Sequence, residues 1–261
     1  MKKILIFAIA FLVTLTATNN AFAQSRQFCH RVFEASNGQQ LPYQVLYPTD
    51  FNPNAAYPLL LFLHGAGERG ADNERQTLHG GEMLASNSNL NNVIIVAPQC
   101  PEEDYWVNIA RPSATPRQFP LSAPATASMN AVKELIDCLV GCGFVDTARI
   151  YGTGLSMGAM GILDLTMRFP QLFAAVEPIC GGINTDRLAK YCGPTAFRFF
   201  HGSLDDVVPV QFSQNANATL LASGVETSLI EYPEANHNSW DSAFAEPTFI
   251  GWLLEHRLSE K

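Results

Sequence analysis

The feature that most limits how this chain can fold is a series of short apolar runs alternating with helical patterns. Residues 57–63 (YPLLLFL) form one such run, ending at His64-Gly65, and residues 92–97 (NNVIIVAP from 91 to 98) form another, stopped by Pro98. Residues 148–152, 173–177, 196–200 and 227–232 continue the series. A strand with one wet face alternates apolar and polar residues. Runs apolar at consecutive positions therefore predict strands covered on both faces, as in a parallel sheet between helix layers. Residues 125–139 lie between two of these runs, with Met129, Val132, Leu135, Ile136 and Leu139 at three- and four-residue steps. Residues 157–168, 210–222 and 248–257 follow the same pattern.

This rhythm predicts a single α/β domain over residues 24–261, with a mostly parallel central sheet, helices on both faces and no large cap domain. Residues 27–33 and 42–47 are expected to extend one edge as an antiparallel pair. Residues 101–122 break the rhythm, with prolines at 101, 112, 116 and 120 around Trp106. A long irregular loop in a compact domain is often functional.

The first 23 residues read differently. Met1-Lys2-Lys3 precedes an apolar stretch from 4 to 15, and Ala21-Phe22-Ala23 precedes Gln24. This is the pattern of a cleavable signal peptide, 1–23, and implies a secreted or periplasmic protein. The apolar stretch is short for a bilayer span, and no cysteine follows the cleavage site, so no membrane anchor is expected. In an exported chain the six cysteines suggest disulfides. Cys180 and Cys192 are the easiest to join; Cys138 and Cys142, at helical i,i+4 spacing, could face one way without being bonded. No CxxC or HxxxH pair is present, and no metal is expected. With 16 Lys+Arg against 24 Asp+Glu, the chain lacks the positive face a nucleic-acid partner demands.

Gly154-Leu155-Ser156-Met157-Gly158 matches G-x-S-x-G between a strand and a helical stretch, the setting in which that motif projects a serine hydroxyl clear of the backbone. A serine hydroxyl needs a base, and in this topology the order is serine, acid, histidine. His256 sits among charged residues of the last helix; His237 lies in a loop just past the strand at 227–232, which makes it the candidate base. The loop one strand earlier, HGSLDDVVP at 201–209, offers Asp205 and Asp206 as the acid that would fix the imidazole's tautomer. His64-Gly65-Ala66-Gly67 follows the first buried strand. A tetrahedral intermediate needs two backbone N–H groups, expected from Met157 and Ala66. His64 falls outside the catalytic order and reads as a hydrogen-bonding residue that supports the loop.

Together HGAGERG (64–70), APQC (97–100), GLSMG (154–158), HGSLDDVVP (201–209) and NHNSW (236–240) resemble the α/β-hydrolase superfamily. Within it they are similar to the secreted esterase-like group: polyhydroxybutyrate-depolymerase-like proteins, feruloyl and acetylxylan esterases, and phospholipase/carboxylesterase-type sequences, some labelled "predicted peptidase". The likeness runs from about residue 40 to 255 and places the acid on Asp205, because the pattern is HG-x-x-D-x-x-VP. Glu234 stands where the group often has Gly. The resemblance implies a serine carboxylic-ester hydrolase without cofactor or metal, acting through an acyl-enzyme on esters that include polymer-linked ones, such as an acyl or feruloyl ester of a polysaccharide. A serine peptidase or amidase, or a non-catalytic glycan-binding relative, are the alternatives. Trp106 and Trp240 are the expected apolar walls of the substrate site. Glu68 and Arg69 are expected to hold the oxyanion loop by ion pairing.

Overall fold

The computed structural model describes residues 26–109 and 119–259; the expected signal peptide and the middle of the 101–122 segment lie outside the described residues. Eight strands form one sheet: β1 (Cys29–Glu34), β2 (Gln40–Leu46), β3 (Tyr57–Leu63), β4 (Ile94–Pro98), β5 (Val145–Leu155), β6 (Ala175–Ile179), β7 (Ala196–Gly202) and β8 (Thr227–Tyr232). Their order across the sheet is β1-β2-β4-β3-β5-β6-β7-β8. β1 pairs with β2, and β2 with β4, in antiparallel fashion; all the other neighbours are parallel. This is the α/β-hydrolase arrangement, with the antiparallel pair at the edge where the sequence placed it.

Both faces of the central strands are buried, and alternate residues serve opposite layers. Leu59, Leu61 and Leu63 of β3 enter one core, with Ile94 and Val96 of β4; Leu60, Phe62, Ile95 and Ala97 enter the other. Among the described residues seven helices supply the layers: α1 (Gly81–Ser86), α2 (Ala127–Gly141), α3 (Met157–Arg168), α4 (Thr185–Leu188), α5 (Gln211–Ala222), α6 (Trp240–Phe244) and α7 (Phe249–Glu255). The first core takes Val132 and Ile136 of α2, Ile162 and Leu165 of α3, and Leu220 of α5. The second takes Leu84 of α1, Ala243 of α6, and Phe249 and Leu253 of α7. Each buried Val, Leu, Ile or Phe among these contributes about 1.5–3 kcal/mol relative to exposure. The threonine before α2, Thr126, caps it by accepting a bond from the Met129 amide at 3.1 Å.

Parallel strands bring their carboxyl ends to one edge, and there the register keeps them level: Leu63 pairs with Gly154, Leu155 with Ile179, and Gly202 with Tyr232. Loops leaving β3, β5, β6, β7 and β8 therefore converge, as ligand-binding loops do in open α/β sheets.

The expectation of disulfides, with Cys180 and Cys192 as the easiest pair, is corrected by this arrangement. No disulfide joins any of the six cysteines, all of which lie among the described residues. Cys180 is buried just past β6, whereas Cys192 is exposed beyond α4. Cys138 and Cys142 do share one exposed side of the end of α2, without a covalent link.

Candidate active site

One residue, Ser156, joins β5 to α3, and its backbone takes φ 53° and ψ −115°. Positive φ is costly for a residue with a Cβ, and a strained joint of this kind persists only where its surroundings hold it. Two glycines permit it. A Cβ on Gly154 would lie 2.6 Å from the Leu63 carbonyl oxygen and 2.8 Å from Gly158 C. One on Gly158 would lie 2.5 Å from Leu63 C and 2.8 Å from the His64 carbonyl oxygen. Strand β3 thus packs so closely under the turn that only hydrogen fits at both positions.

The Ser156 hydroxyl meets His237 Nε2 at 2.9 Å, and His237 Nδ1 meets Asp205 Oδ2 at 2.7 Å. A carboxylate only accepts, so Nδ1 carries the proton and Nε2 is left to accept from the serine. Asp205 is buried, and its Oδ1 accepts from the amides of Val207 (2.9 Å) and Val208 (2.8 Å). Burial works to raise the Asp205 carboxyl, but hydrogen bonds from His201, His237 and the Val208 amide outweigh it and hold the group well below the usual carboxylate range. Asp206 is exposed, and its backbone N–H donates to Asn236 Oδ1. The same Asn236 oxygen accepts from the His237 amide at 2.6 Å, which ties the aspartate loop to the histidine loop. Gly202 is where these two loops cross: a Cβ there would overlap the carbonyl oxygens of Ala235 and Asn236.

Met157 is the first residue of α3, and Ala66 opens a 3-10 turn, Ala66–Glu68. Amides at the start of a helical turn have no partner within it, so both remain available to an oxyanion. The Ala66 loop is anchored from within the protein. His64 is buried; its Nε2 accepts from the Cys100 amide at 3.0 Å, so Nδ1 holds the proton and donates to the Gly65 carbonyl at 2.6 Å. Arg69 works through carbonyls rather than an ion pair, donating to Ala66, Glu102 and Asp104. Glu68 has His79 Nε2 at 3.7 Å.

The two tryptophans part company. Trp240 lies beside the site, edge-on to the His237 ring with centroids 5.6 Å apart, and its ring centroid is also 5.2 Å from that of His79. Trp106, expected in the substrate wall, is fully buried. Its Nε1 donates to the His64 carbonyl at 3.1 Å, and its ring packs on His64, so it supports the oxyanion loop instead. A tryptophan in a proline-rich segment looks the same in sequence whichever way it turns; here the buried His64 carbonyl takes its N–H.

Three neighbours escaped the sequence. His201 Nε2 faces two acceptors, the Val208 carbonyl at 2.8 Å and Asp205 Oδ2 at 3.2 Å, and therefore carries the proton; its Nδ1 accepts from the Ser213 hydroxyl at 2.7 Å. Its signal was in view, in the first residue of HGSLDDVVP. His79 and Cys180 gave none, since neither stands in a motif.

Burial pushes the His64 imidazole down to about 4. An unfolded histidine takes its proton near pH 6.5, so the stability His64 contributes is complete above that pH and is lost as pH falls from about 6.5 to about 4, by about 3 kcal/mol in all. Urea denaturation across this range should show the loss, and the curve for His64→Gln should be flatter. Equal slopes in both proteins would remove His64 from the account.

Comparisons with known proteins agree with the fold. Residues 52–248 match the model of the phospholipase/carboxylesterase family. A thermostable esterase of known structure is 33% identical and superimposes with a TM-score of 0.76 over 88% of this chain and 63% of its own. NocK of Nocardia uniformis subsp. tsuyamanensis, assigned to the esterases, is 27% identical over 170 residues, which are 65% of this chain and 46% of NocK. The chain thus spans less than two thirds of either relative's length. The ferulic acid esterase AmCE1/Fae1A of Anaeromyces mucronatus, solved with ferulic acid, shares the fold at 18% identity and a TM-score of 0.63, over 90% of this chain and 95% of its own. The family model spans most of the chain and includes Ser156, Asp205 and His237: the chain belongs to the phospholipase/carboxylesterase family.

Proposed function

We propose that this protein is an exported serine hydrolase of carboxylic esters, with Ser156 as nucleophile, His237 as general base and acid, and Asp205 as the residue that orients His237. The observation that carries the reading is the continuous hydrogen-bonded chain from the Ser156 hydroxyl through His237 to buried Asp205. His237 Nε2 takes the serine proton as Oγ attacks the ester carbonyl, and Asp205 stabilises the imidazolium that forms. The amides of Met157 and Ala66 receive the oxyanion. His237 then gives its proton to the leaving alkoxide, and the acyl-enzyme is hydrolysed by a water that the same imidazole activates.

The substrate we infer is a bulky or polymer-linked ester, such as an acyl or feruloyl ester on a polysaccharide. Two features support it. Trp240 offers an aromatic surface beside His237. An open groove of about 620 Å³ is lined by Tyr232, Glu234, Asn238 and Asp241, on either side of His237 in the chain. Export rests on the leader pattern at 1–23.

Purified protein should hydrolyse nitrophenyl esters of short acyl chains and methyl ferulate, and an organophosphonate should label the Ser156 peptide. A folded protein that turns over no ester and takes no label would end the reading. The same preparation, recovered from an exporting host, should begin at Gln24; retention of Met1 would end the export part alone.

A further inference from the structure

The acid end of the Ser156–His237–Asp205 chain has a fourth neighbour that the reaction does not use. Cys180 follows β6, so its loop emerges between those carrying Ser156 and Asp205. Its backbone has φ 44°, a conformation few residues with a Cβ adopt, and its amide donates to the Phe200 carbonyl at 2.8 Å. The side chain is fully buried. One ligand atom from each of Cys180, Asp205 and His237 lies within 4.8 Å of the others.

We propose that Cys180, Asp205 and His237 form a binding site for a thiophilic divalent cation of the zinc type, and that its occupation switches the hydrolase off. The inference of inhibition rests on the esterase reading; the inference of binding does not.

The donor set decides the class of ion. Sulfur and imidazole nitrogen suit zinc or cadmium, whereas magnesium and calcium require oxygen ligands. Zinc bonds of about 2.0–2.3 Å at tetrahedral angles place ligand atoms roughly 3.3–3.7 Å apart, so the cluster must tighten by about 1 Å. Side-chain rotation supplies that, provided the 2.7 Å bond between His237 Nδ1 and Asp205 Oδ2 opens to admit the ion. Asp205 Oδ1 is held by the Val207 and Val208 amides, so the ligand is Oδ2, which also has His201 Nε2 at 3.2 Å. Charge also balances. A thiolate and a carboxylate neutralise a divalent ion, so burying the ion leaves no net charge in the pocket.

The proton inventory explains the inhibition. On binding, the Cys180 thiol releases its proton to solvent and a sulfur–metal bond forms. His237 gives up its Nδ1 proton and, as a neutral imidazole, carries one on Nε2 instead. Nε2 then faces the Ser156 hydroxyl as a donor and cannot take its proton. No oxidant or reductant is involved, and removing the ion restores the resting tautomer.

The test uses zinc and cadmium ions as the probes. Zinc added to metal-depleted protein should suppress ester hydrolysis, a chelator should restore it, and magnesium at the same concentration should leave the rate unchanged. Measured against each protein's own metal-free rate, Cys180→Ala and the closer-sized Cys180→Ser should need at least about tenfold more zinc for half-inhibition, since even outer-shell changes at metal sites cost 10–100-fold in affinity. Binding is read separately in Ser156→Ala protein whose exposed Cys138, Cys142 and Cys192 are replaced by serine. One equivalent of cadmium should give an ultraviolet thiolate charge-transfer band there, lost on adding Cys180→Ser. A band that survives Cys180→Ser, or no band at all, overturns the site, as do equal half-inhibiting concentrations in wild type and both Cys180 variants. A Cys180-dependent band in a protein whose wild type hydrolyses no ester would keep the site and end the esterase reading.

Discussion

Ser156→Ala should lower kcat for a nitrophenyl ester by about 10⁵- to 10⁶-fold while leaving the thermal unfolding midpoint near that of the wild type. The Ser156 hydroxyl is 2.9 Å from His237 Nε2, and removing it takes away the one group that could form the acyl-enzyme. What remains is transition-state binding by the Met157 and Ala66 amides, which leaves a residual rate of about 10³-fold or more above water alone. Because the three side chains act as a unit, Ser156→Ala/His237→Ala should be no slower than Ser156→Ala. Asp205→Asn should cost about 10⁴-fold, because an amide at Oδ2 can present a donor to Nδ1 and favour the wrong tautomer. Asp206→Asn, on an exposed residue next door, should change little. Single-turnover kinetics of the four proteins settle the matter; a Ser156→Ala enzyme with more than about a hundredth of the wild-type rate would rule Ser156 out as the nucleophile.

Gly158→Ala should be the most damaging methyl group that can be added to this protein. The new Cβ would overlap the Leu63 carbonyl group and press on that of His64. Both are main-chain atoms at the end of a central strand and cannot turn aside as a side chain would. The expected loss is more than about 3 kcal/mol, a large share of the 5–15 kcal/mol that holds a domain folded, and soluble yield should fall with it. Gly251→Ala in α7 is the control. A Cβ there meets nothing within 4 Å, and alanine in a helix interior should stabilise by about 0.5–1 kcal/mol. Denaturant midpoints for both variants test the claim, and a Gly158→Ala protein as stable as wild type would show that β3 yields far more than its packing implies.

Much of this architecture is legible before any coordinates. β3 and β8 run over the residues that the apolar pattern marks, and α3 begins at the residue after Ser156. A strand buried on both faces and a helix of three turns leave signals long enough to read. α1, α4 and α6 do not, since four to six residues cannot establish a helical period. Site residues embedded in motifs were legible for the same reason. Those that reach the site only through the fold were not. Cys180 stands near Asp205 because β6 lies beside β7, and cysteine parity could not reveal that its side chain turns inward while that of Cys192 stays at the surface. Trp106 was misplaced for a related reason: its surroundings come from a strand end some 40 residues earlier, where its indole meets the His64 carbonyl.

The tethering of the oxyanion loop by His64, Trp106 and Arg69 separates two kinds of inheritance in this molecule. The groups that fix where the Ala66 amide points hold one another through buried rings and main-chain atoms, so the ability to stabilise an oxyanion comes with folding itself. The surfaces an ester would touch, such as the Trp240 ring at the start of α6, lie on segments that follow the last strand. Amino-acid changes at that rim can retune which acyl group or alcohol fits while the catalytic apparatus stays intact. A chain organised in this way can drift among substrates without first losing its chemistry.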